Sequence, residues 1–298
     1  MFVIVGVGAM ASLFAARLAP HTPALWMLGT WAGAVAAINN DGLTLESGSG
    51  CEVVRVQATT DPDQCRGAEI ALVLVKSWQT ARAAQQITAF LAPSGVAVTL
   101  QNGLGNLETL AAALGPARAT LGMTTQGATL LGPGRVREGG RGPIILAEDP
   151  RLAVLMDRLR AAGFEVRTAA DVASLAWGKL IVNAAINALT ALLRVPNGEL
   201  LNRPPALALA DEAAREAAAV AVAKGLTLPF PDPVARAREV MGLTAHNQSS
   251  MLQDVLRGAP TEVEAINGAV VREARALGLQ APVNETLWRL VAATHAEG

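Results

Sequence analysis

Lys179, Asn183 and Asn187 recur every four residues through the otherwise apolar run Trp177–Leu189 and so share one face of a helix. A solvated stripe with a snorkelling lysine is one reading of that face. Two amides and one amine, however, solubilise poorly beside the Glu and Arg used elsewhere in the chain. An ammonium held in an apolar groove is costly to keep charged, so its pKa falls toward working pH and it becomes a better proton donor. That suits carbonyl reduction: as hydride reaches carbon, negative charge grows on oxygen, and a lysine within hydrogen-bond reach stabilises and then protonates it. Only three of the 24 cationic residues are lysines, Lys76, Lys179 and Lys224. A position that keeps lysine needs a compact amine able to release a proton, which a guanidinium cannot do.

Lys76 follows the apolar run Ile70–Val75, and Asn102 follows Val96–Leu100 inside Gln101-Asn102-Gly103-Leu104-Gly105. Both sit just past the carboxyl end of a strand, where open α/β sheets bind ligands. A solvated loop charge and a turn former beside Gly103 are the competing readings. At the start of the chain, Gly6-Val7-Gly8-Ala9-Met10-Ala11 follows one strand and opens a helix. This is the dinucleotide fingerprint in its alanine-ending form: Gly6 for the tight turn, Gly8 for the pyrophosphate, Ala11 for close helix–strand packing. About 20 positions on, such a site needs an acid for the ribose hydroxyls or a base for a 2'-phosphate. Leu28, Gly29 and Thr30 stand there instead, and no Lys or Arg occurs between Arg17 and Arg55.

A third group runs through Asn247 and Ser249–Asp254, with Asn247 and Ser250 three residues apart and the serine hydroxyl a suitable donor to a carboxylate. Thr261-Glu262-Val263-Glu264 reads as a capping box, which puts Glu262 in a first helical turn where the dipole favours an acid. His21, His246 and His295 are scattered, and Cys51 and Cys65 have no metal-binding spacing, so neither a catalytic triad nor a metal site is expected.

The elements that must position these residues follow from pattern. Apolar strands at Phe2–Val5, Ala24–Leu28, Ile70–Val75 and Val96–Leu100 alternate with helices at Ala9–Leu18 and Thr80–Leu91, as in a mostly parallel sheet with crossover helices. Past Gly115 come short strands with glycine-rich turns, a helix over Arg151–Ala162 and a strand over Phe164–Arg167. From Asp171 the chain is alanine-rich and helical, broken at Val195–Gly198, Gly225–Pro233 and Gly258–Pro260. The expected fold is therefore an α/β Rossmann-like domain over residues 1–170 followed by an all-α domain over residues 171–298. With 298 residues, 51% of them apolar, the chain suits two domains better than one core. A formal charge of -1 provides no basic field for a nucleic acid. The opening run Phe2–Ala16 has no basic start and is cut by Gly6 and Gly8, so no secretory leader is expected. The charge-free stretch from Leu18 to Asn40 contains two prolines and several polar residues, which favours a soluble core over a membrane span. Free cysteines fit a reducing cytoplasm.

Taken together, these motifs resemble the ketopantoate reductases (2-dehydropantoate 2-reductases) along essentially the whole chain. The residues that carry the resemblance are Gly6–Ala11, Val75-Lys76-Ser77-Trp78-Gln79, Gln101-Asn102-Gly103, Trp177–Asn187 with Leu189-Thr190, Pro196-Asn197-Gly198-Glu199, Asn247 with Ser249–Asp254, and Thr261-Glu262 with Ile266-Asn267-Gly268. The resemblance implies that Lys179 is the general acid and that Glu262 orients substrate or lysine and contacts cofactor. It implies that Asn102, Asn183, Asn187, Asn197, Asn247 and Ser250 bind substrate, and that Gly6, Val7, Gly8, Ala9, Met10, Ala11, Lys76, Asn102 and Ala128 bind cofactor. The implied reaction is NADPH-dependent reduction of 2-dehydropantoate to (R)-pantoate in pantothenate and coenzyme A biosynthesis, by a cytoplasmic monomer or homodimer acting on a small 2-oxoacid. Many members place an arginine after the second strand to hold the 2'-phosphate of NADP(H); here Gly29 takes that place, which leaves NAD(H) open. A related 2-oxoacid or β-hydroxyacid oxidoreductase, and a non-catalytic nicotinamide-binding sensor, are the alternative readings.

Overall fold

Phe2–Val5 is buried on both faces, as a strand in the middle of a covered parallel sheet must be. This strand, β1, opens a computed structural model that describes residues 1–294; His295 lies outside the described residues. Helix α1 (Ala9–Leu18) follows, then β2 (Leu25–Leu28) and α2 (Ala32–Asp41), so the charge-free stretch after Leu18 folds as a strand and a helix. Strands β3 (Leu43–Ser47), β4 (Gly50–Val54) and β5 (Gln57–Thr59) come next. The sequence pattern hides all three, because Glu46, Glu52 and Gln57 interrupt their short apolar runs and β4 has no buried face. The alternation resumes with β6 (Ala68–Val73), α3 (Thr80–Phe90), β7 (Leu91–Thr99), α4 (Asn106–Leu114) and β8 (Ala119–Thr124). Strands β9 (Ala128–Gly132), β10 (Arg135–Glu138) and β11 (Ile144–Ala147), helix α5 (Ala153–Ala161) and strand β12 (Val166–Ala169) complete this part.

Eight strands form one sheet in the order β12-β11-β8-β7-β6-β1-β2-β5, and every neighbouring pair is parallel except β8 with β11. Parallel pairing brings the carboxyl ends of β2, β1, β6 and β7 to one edge. The ladder continues past them, with Gly6 N–H donating to Leu28 O at 2.7 Å and Leu74 N–H to Val5 O at 2.9 Å. A second, four-stranded sheet has the order β4-β3-β10-β9. Helix α1 touches β1 and β2 of the first sheet and β3, β9 and β10 of the second, which is why it carries no charge before Arg17. Arg17 then pairs with Glu138 at the end of β10, at 2.6 Å. Leu13, Phe14 and Leu18 are fully buried in this core, each worth about 1.5–3 kcal/mol of removed apolar surface.

The chain divides into two compact units: Met1–Gln101 with Asn106–Val172, and Asn102–Gly105 with the residues from Ala173 onward. The second unit is built from α6 (Val172–Leu193), α7 (Pro204–Ala223), α8 (Pro233–Leu243), α9 (Ser250–Leu256), α10 (Asn267–Ala276) and α11 (Pro282–Ala293). By length and composition α6 could cross a membrane, but 72% of its most apolar window is buried, as expected for the central helix of a bundle. Buried polar groups fix its neighbours. Asn267 Nδ2 donates to Ala184 O on α6 and to Asn284 Oδ1 on α11, both at 3.0 Å. The Glu216 carboxylate on α7 accepts Val283 N–H, Asn284 N–H and Asn284 Nδ2 at 2.8–2.9 Å, meeting the open amides at the start of α11. Ser249 caps α9 through Leu252 N–H and shares a 2.8 Å hydrogen bond with Thr190 on α6. A mostly parallel Rossmann-like sheet followed by an all-α region is the architecture expected from the pattern of the chain.

Candidate active site

Lys179 lies in the second turn of α6, half-buried, and its Nζ donates to Asn102 Oδ1 at 2.7 Å. Asn102 is held in place by the residues after it. Gly103 has φ +79°, and a Cβ there would stand 2.5 Å from Ala265 O, so only glycine lets the two backbones meet. Leu104 N–H then donates to the same carbonyl at 2.9 Å. The segment Asn102–Gly105 is thus seated on the turn that carries Glu262, itself 4% exposed. Burial pulls the Lys179 ammonium down from its usual range to about 8, and the attraction of the Glu262 carboxylate opposes this without cancelling it. Desolvation is the larger of the two opposing effects on the amine. The result is an amine that holds its proton at neutral pH and yields it readily.

Glu262 does not occupy the first turn of a helix. Residues 261–266 form successive turns, and α10 begins only at Asn267. Ala265 N–H and Ile266 N–H both reach Glu262 O, Gly268 N–H bonds Val263 O, and Ile266 at φ -104°, ψ -88° breaks any helical continuation. The expected capping box is also dismantled at its other end. Glu264 accepts from Trp288 Nε1 at 2.7 Å and pairs with Arg272, instead of reaching back to Thr261. A helix dipole therefore does not account for Glu262; its position beside Lys179 does.

Asn183 is half-buried and Asn187 6% exposed, one and two turns beyond Lys179 on α6. Asn197 opens a 3-10 turn (Asn197–Leu200), where its Nδ2 donates to Thr244 Oγ1 at 2.9 Å and its backbone N–H donates to Asn247 O at 3.0 Å. The structure so brings Asn197 and the exposed Asn247 together, while Ser250 begins α9 just after the capping Ser249.

In the first unit Gly6 adopts φ +133°, and a Cβ there would press on Ala11 Cβ at 3.2 Å and on the Leu74 backbone at 3.3 Å. Gly8 faces open space. Val7 is buried, Ala9 and Met10 are half-buried, and Ala11 is fully enclosed, so the loop enters α1 with its first amides unclaimed by side chains. Ala128 starts β9 and packs on the same core as Val7 and Met10. Lys76 follows β6 in a short bend held by its own N–H donating to Gln79 Oε1 at 3.2 Å. Gln101 ties the neighbouring strand ends together through Val75 O at 2.9 Å and Thr80 Oγ1 at 2.8 Å. An additional shallow, open recess lies past β2, where Gly29 and Thr30 face Gln79, Arg82 and Gln86 of the α3 region. The only trace of it in the sequence is the three- and four-residue spacing of those last three side chains.

Comparisons with known proteins agree with this architecture. Residues 2–151 match the family described as "Ketopantoate reductase PanE/ApbA", and residues 171–295 match "Ketopantoate reductase PanE/ApbA C terminal". A 2-dehydropantoate 2-reductase of Halobacterium salinarum is 36% identical over 302 residues, spanning 99% of both chains. One from Pyrobaculum aerophilum is 41% identical over 202 residues, 67% of this chain and 69% of its own. The crystal structure of a PanE/ApbA family ketopantoate reductase from Ralstonia eutropha JMP134 superposes with a TM-score of 0.91 at 34% identity, covering 99% of this chain and 98% of that one. With both halves matched and relatives aligned end to end, this chain belongs to the ketopantoate reductase PanE/ApbA family.

Proposed function

We infer that the chain is an oxidoreductase that reduces the keto group of 2-dehydropantoate to (R)-pantoate with a nicotinamide cofactor, NADPH by preference, in the cytoplasm. The observation that carries this reading is the lysine of the helical unit, hydrogen-bonded to Asn102, beside a buried carboxylate and with its pKa brought to about 8. The residues of the first unit fit a dinucleotide. Gly6 leaves no room for a side chain, Gly8 opens a space beside the amino end of α1, and the α1 amides have no side-chain cap. Residues 1–170 are the dinucleotide-binding part on this reading, and residues 171–298 the substrate and catalytic part.

The reduced nicotinamide, when bound, supplies the hydride. Lys179 acts at the other atom of the carbonyl: its ammonium donates a hydrogen bond to the keto oxygen, strengthens it as charge accumulates there, and transfers the proton. Asn102 holds the amine in place through its Oδ1 and, being an amide, does not take the proton. Glu262 keeps the amine protonated at neutral pH against the pull of desolvation. Asn183, Asn187, Asn197, Asn247 and Ser250 supply neutral donors and acceptors to the hydroxyl and carboxylate of the substrate, and Lys76 and Ala128 border the cofactor.

The test is a substrate panel. Purified protein is mixed with NADPH or NADH and with 2-dehydropantoate, other 2-oxoacids or β-keto acids, and loss of nicotinamide absorbance is followed. Fastest turnover with 2-dehydropantoate is expected; oxidation of cofactor with none of them, despite binding, overturns the reading.

A further inference from the structure

The place past β2 that receives the adenosine ribose in a Rossmann-like sheet has, in this chain, no basic residue of its own. A side chain at Gly29 would force Val7 to shift, because a Cβ would stand 2.6 Å from both methyls of Val7, a residue 7% exposed inside the core. Thr30 is the first side chain past the strand, and it is neutral. Yet the recess is not built for an unphosphorylated ribose either, since no Asp or Glu lines it. The cation comes from another element. Helix α3 starts beyond β6 and turns Arg82 and Gln86, together with Gln79 just before it, onto the face that meets Gly29 and Thr30.

Arg82 is exposed, and among the described residues it forms no ion pair or hydrogen bond, whereas Arg17, Arg66, Arg135 and Arg137 of the same unit are engaged by carboxylates. Gln79 uses its Oε1 on Lys76 N–H, which leaves the amide Nε2 as a donor. A guanidinium with two flanking amides and a threonine hydroxyl, open to solvent and free of carboxylates, matches a phosphate monoester.

Building on the reading that this unit binds a nicotinamide dinucleotide, we propose that Arg82, carried by α3, selects NADPH by binding the 2'-phosphate in this recess, assisted by Thr30, Gln79 and Gln86. The specificity residue has thus moved from the loop after β2 to the helix facing it.

Binding is measured without turnover, by calorimetric titration of the intact protein with NADPH, NADH, adenosine 2',5'-bisphosphate and 5'-AMP at fixed ionic strength. The native protein is expected to favour the 2'-phosphorylated member of each pair. In Arg82→Gln each preference falls by about tenfold or more, the scale of a lost charge-assisted hydrogen bond, with an unchanged melting temperature. Arg82→Lys restores part of the preference through charge alone. Preferences in Arg82→Gln equal to those of the native protein overturn the assignment of Arg82 while leaving dinucleotide binding standing. Failure of the native protein to bind either dinucleotide overturns both.

Discussion

Lys179 and Asn102, 77 residues apart in sequence, meet through a 2.7 Å hydrogen bond from Nζ to Oδ1. Because Asn102 is itself fixed by the Gly103–Ala265 approach, the amine is located by backbone geometry rather than by a flexible partner.

Lys179→Ala is expected to lower kcat by about 100-fold or more, the usual cost of a lost general acid, while cofactor affinity from fluorescence titration stays within twofold (~) of the native value. Unaltered turnover would refute the role assigned to this residue. Lys179→Met separates chemistry from folding. The native lysine has its pKa lowered in the folded state, so between about 8 and the ordinary lysine value the unfolded chain binds more protons and stability rises with pH. Below about 8 the full desolvation cost of the charged amine is present, and Met removes it. Met also removes the attraction to the buried Glu262 carboxylate, so the two effects oppose and the melting temperature at pH 7 should stay near the native value although turnover is lost; scanning calorimetry decides.

The same pKa predicts the pH profile. Proton donation needs the ammonium, so kcat should fall as pH rises through about 8. Glu262→Gln removes the opposing attraction and should move that alkaline limb to lower pH, which stopped-flow rates across a pH series would reveal. A limb that stays in place in Glu262→Gln argues against electrostatic coupling of the pair.

Gly103→Ala should cost ~2 kcal/mol or more of stability and reduce kcat, since a methyl at φ +79° would strike Ala265 O and push Asn102 from the amine. Chemical denaturation paired with steady-state rates measures both effects. Equal stability and equal kcat would show that the loop yields without disturbing Asn102.

How far such contacts could be foreseen differs from place to place. The alternating strands and helices around β1, α1, β6 and α3 were legible because their apolar periods are uninterrupted. Strands β3 and β4 were not, since a hairpin with one exposed member keeps no strict alternation. In the candidate site, the common face of Lys179, Asn183 and Asn187 follows from helical spacing alone. Glu262 misled, because Thr-x-x-Glu satisfies a local rule that the contacts of Glu264 with Trp288 and Arg272 override. Arg82 gave no signal beyond its helical spacing to Gln79 and Gln86, as its relation to Gly29 exists only once α3 lies over the end of β2.

Glu216→Ala should destabilise by ~3 kcal/mol, because three donors at the start of α11, two of them buried, lose one carboxylate. Turnover at low temperature should be preserved, as Glu216 touches none of the candidate site residues. Urea titration and rates well below the melting point test the two halves of this expectation.

The two thiols should differ in reactivity. Cys51 is exposed, while Cys65 is fully buried and burial pushes its thiol up to about 11. Titration with an aromatic disulfide at pH 8 (~) should modify one thiol rapidly in the native protein and the second only after denaturant is added.

The greasiness of α6 has a consequence for biogenesis. Residues 172–193 leave the ribosome well before α7, α10 and α11, the helices that later enclose them. For that interval the stretch bearing Lys179 is a sticky nascent segment, whose apolar faces stay open to other chains until the later helices cover them.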